Sequence, residues 1–201
     1  MKTAILFLFL YTSLIYSQIN EKIINDLNSY ADSVNNLISN SSGAPGEVFS
    51  NTVTVQRNVR AIGMQNTKIT FFYFQKDDSV YEDKDGTAYF IPQYNPPLMV
   101  MVEYNIASSQ TVVAKYYMNG VNNLYIINSK GAYGNSNRSF WFEGNGLLKF
   151  EERSARDEMG VMTEYDKFSM EIYNESLNIL DRMNDYKKLY YDIFNIEYKD
   201  K

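Results

Sequence analysis

Between Leu98 and Glu151 the chain breaks into apolar runs of four to eight residues, each closed by Asn, Gly or Ser. Runs of that length with period-two alternation are the mark of strands, and their close succession predicts an antiparallel meander of four or five. Leu98 to Ile106 is apolar on both sides at its start and on one side at its end, as expected of an interior strand that emerges into solvent. After the polar stretch Ala107 to Gln110, the strand Thr111 to Met118 divides cleanly. Val112, Ala114, Tyr116 and Met118 fall on one face, and Thr111, Val113, Lys115 and Tyr117 on the other. Asn119-Gly120 then signals a hairpin, because both residues tolerate the positive φ of a type I′ turn. The return strand is Asn123 to Ser129. A second hairpin follows, from Arg138-Ser-Phe-Trp-Phe-Glu143 through Gly144-Asn-Gly146 to Leu147-Leu-Lys-Phe-Glu-Glu152.

Ahead of the meander, Glu47 to Ile62 alternates strictly, with Val53, Val55, Val59 and Ala61 on one face, and predicts a strand in a sheet with one wet side. Lys68 to Gln75 is a further strand, Asp77 to Gly86 an acidic turn, and Thr87 to Ile91 a short strand. Pro92 to Pro97 reads as a rigid connection, since proline gives no hydrogen to a ladder.

Both flanks have helical spacing. Ile19, Ile23, Leu27, Tyr30, Val34 and Leu37 recur every three or four residues, and Ser39 to Pro45 ends that pattern. Tyr165, Phe168, Ile172, Leu180, Met183, Tyr186, Tyr190 and Ile193 map a second amphipathic helix, with Tyr173 and Leu177 widening its stripe and Thr163 as its expected N-cap. The expected fold is therefore α+β. An antiparallel meander sheet of seven to nine strands is packed by an N-terminal helix and a long C-terminal helix.

Residues 1–17 have a basic start, an apolar middle and a small Ser17, the pattern of a secretory signal peptide. No later segment has eighteen uninterrupted apolar residues, so the mature chain, residues 18–201, is expected to be one exported α+β domain, periplasmic or extracellular, without a membrane span. The full sequence holds no cysteine and has 18 Tyr and 12 Phe, so stability rests on a core that its aromatic residues can supply.

The inventory of reactive groups is short. Without His or Cys, Ser-His and Cys-His nucleophile pairs cannot form, and zinc, copper and haem lose their usual ligands. Nucleotide-binding glycine fingerprints are missing. A net charge of −5 with no basic cluster argues against nucleic acid as a partner. Three constellations remain. Asp83 and Asp85, in the acidic stretch before Gly86, preserve a fragment of a calcium loop. Glu103 with Glu143 or Glu151 offers a carboxylate pair for glycoside hydrolysis, which needs two carboxyls across a cleft. The third is aromatic: Tyr89, Tyr104, Tyr116, Tyr117, Tyr125, Tyr133, Phe140 and Trp141 exceed what one inner face needs. Tyr and Trp join apolar area to a polar tip and suit contact surfaces, so Tyr104, Tyr117, Tyr125, Tyr133 and Trp141 are the expected binding residues.

Tyr-Ser-Gln18 at the end of the leader, the Asn/Lys/Ile/Tyr-rich composition and the aromatic-strand, Asn/Gly, apolar-return units at Tyr116 and Phe140 resemble small exported proteins of unknown function of the Bacteroidota type. The resemblance implies export and supplies no catalytic residue. The reading is an exported, non-enzymatic binding or interaction protein. Its partner would be a protein, glycan or lipid, held on an open aromatic face of the sheet or in a groove beneath the last helix. The alternatives are a carboxylate-dependent glycoside hydrolase and a structural envelope component.

Overall fold

The computed structural model of the chain describes residues 2–42, 44, 46–59, 63–82, 84–106, 110–131, 135–154, 163–164 and 169–194. A helix α1 (Lys2–Asn40) opens the chain. Among the described residues nine strands follow: β1 (Val48–Val59), β2 (Gly63–Glu82), β3 (Ala88–Tyr94), β4 (Met99–Ile106), β5 (Gln110–Asn119), β6 (Asn122–Gly131), β7 (Ser136–Glu143), β8 (Gly146–Ser154) and β9 (Thr163–Glu164). Helix α2 (Met170–Phe194) is the last described element. The sheet is open and wholly antiparallel, in the order β1-β2-β4-β5-β6-β7-β8-β9, and β3 pairs with the far half of β2. The α+β meander expected from the alternation is the fold observed.

The helices cover opposite faces. On one face α1 buries Leu27, Ala31 and Val34 against Val48, Phe72, Met99, Tyr117, Leu124 and Trp141. On the other, α2 buries Ile172, Ile179, Leu180, Met183 and Tyr190 against Phe71, Val100, Tyr116, Tyr125, Phe140, Phe142 and Phe150. Both sheet faces are apolar in the middle strands because each has a helix to pack on. The alternation expected for β5 holds: Ala114, Tyr116 and Met118 face α2, and Tyr117 faces α1.

Polar atoms tie each helix down. The Tyr30 hydroxyl donates to the backbone oxygens of Met118 (2.9 Å) and Leu98 (3.3 Å). Asn35 Oδ1 accepts from the Tyr117 hydroxyl at 3.0 Å, and Asn28 Oδ1 from Trp141 Nε1 at 2.9 Å. Across the sheet, Tyr190 donates to Asn95 O at 2.7 Å. Glu175 of α2 takes both terminal nitrogens of Arg138, at 2.5 and 2.7 Å.

Several boundaries differ from expectation for local reasons. β2 runs on to Glu82, so most of the stretch read as an acidic turn is strand, paired with a β3 that passes through Pro92 to Tyr94. A proline is tolerated there because β3 pairs on one side, with β2, and its other edge is unpaired among the described residues. Asn119 pairs with Asn122, so the turn centre is Gly120-Val121 rather than Asn119-Gly120, with Gly120 at φ 65° as the first central residue. That is where a type II′ turn wants glycine. The backbone N–H of Gly144, at the tip of the next hairpin, donates to Val121 O at 3.0 Å and holds the two tips together.

Helix α2 starts at Met170, capped by Ser169, whose Oγ accepts from Ile172 N at 3.2 Å. The expected cap, Thr163, is in β9 instead. Tyr173 and Leu177, placed on the inward stripe by spacing, are 47% and 39% exposed, and Ile19 and Leu37 of α1 are 49% and 44% exposed. Each helix contacts the sheet along a narrower line than its apolar content suggests. The wider expected stripe is corrected accordingly.

Candidate functional site

Antiparallel register sets directly opposite residues about 5 Å apart, near enough for aromatic side chains to pack as cross-strand pairs. On the α2 face this builds a row of rings, because Tyr116 pairs with Tyr125, Tyr125 with Phe140, and Phe140 with Phe150. The successive ring centroids are 4.7, 5.8 and 4.7 Å apart. The phenylalanine end is closed by Arg138, whose guanidinium carbon stands 5.4 Å from the Phe140 ring and 5.1 Å from that of Phe150, beneath Glu175. The tyrosine end is different. Its neighbouring row is Ile69, Val102 and Ala114, three shorter side chains in register across β2, β4 and β5. Above them α2 presents Arg182, Asp185 and Tyr186, which do not fill the space.

The result is a groove of about 540 Å³ between sheet and helix. That lies within the roughly 300–1,000 Å³ usual for small-molecule sites. Val55, Ile69, Val102 and Ala114 supply apolar lining, and Tyr104, Tyr116, Tyr125 and Tyr186 supply phenols. Arg57 of β1, Arg182 and Asp185 are its charged lining residues. The Tyr186 ring meets that of Tyr116 edge-on at 5.1 Å.

Burial raises the pKa of all four phenols, most strongly at Tyr116 and Tyr125, and the positive charge of Arg182 partly opposes it at each. Arg182 therefore sits where its field reaches the whole cluster. At neutral pH every phenol keeps its proton. Tyr116 is hydrogen-bonded with Tyr125 and with Tyr186, and none of the four is poised to act as a base.

The aromatic residues singled out from the sequence divide. Tyr104 and Tyr125 line the groove. Tyr117 and Trp141 lie on the opposite face beneath α1, 1% and 5% exposed, with their polar atoms given to Asn35 and Asn28. They share no surface with Tyr104 and Tyr125, and packing accounts for them. Tyr133 lies outside the described residues.

For the calcium reading, Asp83 also lies outside the described residues, and Asp85 is exposed in the turn before β3. Among the described residues no three acidic side chains gather as a metal site. The carboxylate pairs do not form. Glu103 is bound to Lys68 at 3.3 Å and Glu151 to Lys149 at 2.6 Å. Glu103 on β4 and Glu151 on β8 are four strand spacings apart, about 19 Å at about 4.8 Å each. Glu143 is three strands away and six residues further along the register, about 20 Å or more. Glycosidase carboxyls stand about 5–9.5 Å apart, so neither pair can share a sugar.

Tyr186, Arg57 and Arg182 were missed as site residues, and Tyr116 was counted among the surplus aromatics without being selected. The even spacing of Tyr104 from Val102 and of Tyr116 from Ala114 would have put them on one face. Arg182 follows Ile179 by three residues and Arg57 follows Val55 by two, so both belong beside apolar positions facing that side. Among the described residues no helix is long and apolar enough to cross a membrane. In comparisons with protein-family models, with curated proteins and with solved structures, nothing matches this chain.

Proposed function

We propose that the protein is an exported, non-enzymatic binding protein that holds a small ligand in the groove between the sheet and α2. The observation that carries this is the open tyrosine end of the ring row. There an apolar floor, four protonated phenols and two arginine side chains converge on about 540 Å³ of space. A concave site that joins apolar lining to convergent polar groups able to fix orientation has the ingredients of a ligand pocket, and here the polar groups are the larger share of the lining. Export is supported by the signal-like residues 1–17. A binding role rather than catalysis is supported by phenols that stay protonated and by the distance between Glu103, Glu143 and Glu151.

Val55 gives a clean test, because it lines the groove and is 37% exposed, so a larger side chain can enter the groove from its rim without disturbing the core. Nile red, a neutral apolar dye that brightens in apolar sites, is expected to bind the wild type and to lose at least about tenfold in affinity in Val55→Trp. The thermal midpoint should change by no more than about 2–4 °C. Unchanged Nile red binding in folded Val55→Trp would show that the groove is not the binding site.

A further inference from the structure

Arg138 and Arg182 face the same side of the sheet under very different conditions. Arg138 is gripped by Glu175 through two hydrogen bonds and has Glu152 at 3.6 Å. Arg182 stands two helical turns further along α2 from Glu175, over the tyrosine cluster, and forms no ion pair with any described residue. The same holds for Arg57 on the opposite wall. Among the described lining residues Asp185 is the one carboxylate against two arginines, a net charge of +1 in a chain of net charge −5. At the closed end of the ring row a built-in carboxylate answers the arginine. At the open end no described carboxylate stands within ion-pair distance of Arg57 or Arg182.

We infer that the groove takes an amphipathic organic anion: an apolar or planar body against Val55, Ile69, Val102, Ala114 and the tyrosine rings, with one carboxylate between Arg57 and Arg182. This rests on the groove being the binding site and deepens that reading. Guanidinium donates in a planar fork that matches a carboxylate, and phenol hydroxyls add further donors to the same oxygens. An ammonium head would meet two guanidinium groups. A neutral head would forgo the charge-assisted bonds.

The test uses three probes that share one ring system: 2-naphthoate, 2-naphthamide and 2-naphthylmethylammonium, each competed against Nile red and each titrated calorimetrically. Naphthoate is expected to bind about tenfold or more tighter than naphthamide, and the ammonium weakest. In Arg182→Gln that ratio should fall to within about twofold, while Arg182→Lys, which keeps the charge, should retain part of it. Arg57→Gln should reduce it too. Both arginines are solvent-exposed, so these variants are expected to fold.

Equal binding of naphthoate and naphthamide, or preference for the ammonium, overturns the anion assignment and leaves the groove intact as a binding site. A preference for naphthoate that survives both Gln variants places the anion elsewhere and also overturns it. Absence of naphthoate binding overturns it whatever Nile red does. Failure of the underlying reading looks different, because Nile red would then bind equally well to Val55→Trp.

Discussion

Phe140→Ala is expected to destabilise the protein by about 3–5 kcal/mol, the cost of removing a fully buried aromatic ring and leaving a cavity that its neighbours only partly fill. Phe140 is completely buried and lies at the centre of the α2-facing row. Its ring meets those of Tyr125, Phe142 and Phe150 at 5.8, 6.4 and 4.7 Å. Arg138 lies against it as well, so the substitution also loosens the support of the Glu175 pair that fastens α2. A loss of this size is a large share of the roughly 5–15 kcal/mol available to a domain. Val121→Ala is the control, since Val121 is 72% exposed at a turn and should change stability by less than about 0.5 kcal/mol. Denaturant unfolding of both variants measures the difference. A cost below about 1 kcal/mol for Phe140→Ala would mean that the ring row is not the centre of the core.

The second large effect is alkaline unfolding. Burial pushes the Tyr30 phenol up to about 12, and raises Tyr104, Tyr116, Tyr117, Tyr125 and Tyr186 as well. In the unfolded chain the same groups titrate near 10. Above about pH 10 the unfolded state therefore binds fewer protons than the folded state, and stability falls as pH rises. The stabilisation from these phenols is whole below pH 10, and that from Tyr30 is lost as pH passes through about 12. Each phenol kept protonated costs about 1.4 kcal/mol per pH unit in that window. The groups concerned also anchor the layers, since Tyr30 and Tyr117 donate to backbone and to Asn35 where α1 meets the sheet. Tyrosinate absorbance should accordingly show a cooperative step above pH 10, coincident with loss of near-ultraviolet circular dichroism. A single smooth titration near pH 10 with structure intact to pH 12 would contradict this.

The faces of the β5 residues Ala114, Tyr116, Tyr117 and Met118 were legible because period-two alternation survives small errors in turn placement. Centring the β5–β6 turn on Asn119-Gly120 would set Tyr116 opposite Asn123, whereas the observed centre at Gly120-Val121 sets it opposite Tyr125. Moving a turn by one residue shifts every partner by two, so the faces are kept while the pairs change. Hence the sequence could place Tyr116 with Ala114 and Met118, yet could not reveal the row of rings. The division of the aromatics was hidden for another reason. Tyr116 and Tyr117 are adjacent and equally aromatic, and only the presence of a helix on each face decides that both are buried, one under α2 and one under α1. Arg57 and Arg182 are 125 positions apart in the chain, and no local pattern announces that β1 and α2 wall the same groove. The glycosidase pairing failed on the same point, since strand order sets the separation of Glu103 and Glu151 and residue type does not.

The most direct test of the account is native mass spectrometry of the protein gently purified from the cells that make it, compared with Val55→Trp prepared in the same way. The account predicts a small-molecule mass on the wild type, lost from the variant while both remain folded. A wild type that carries no small molecule, or one retained equally by Val55→Trp, would contradict it.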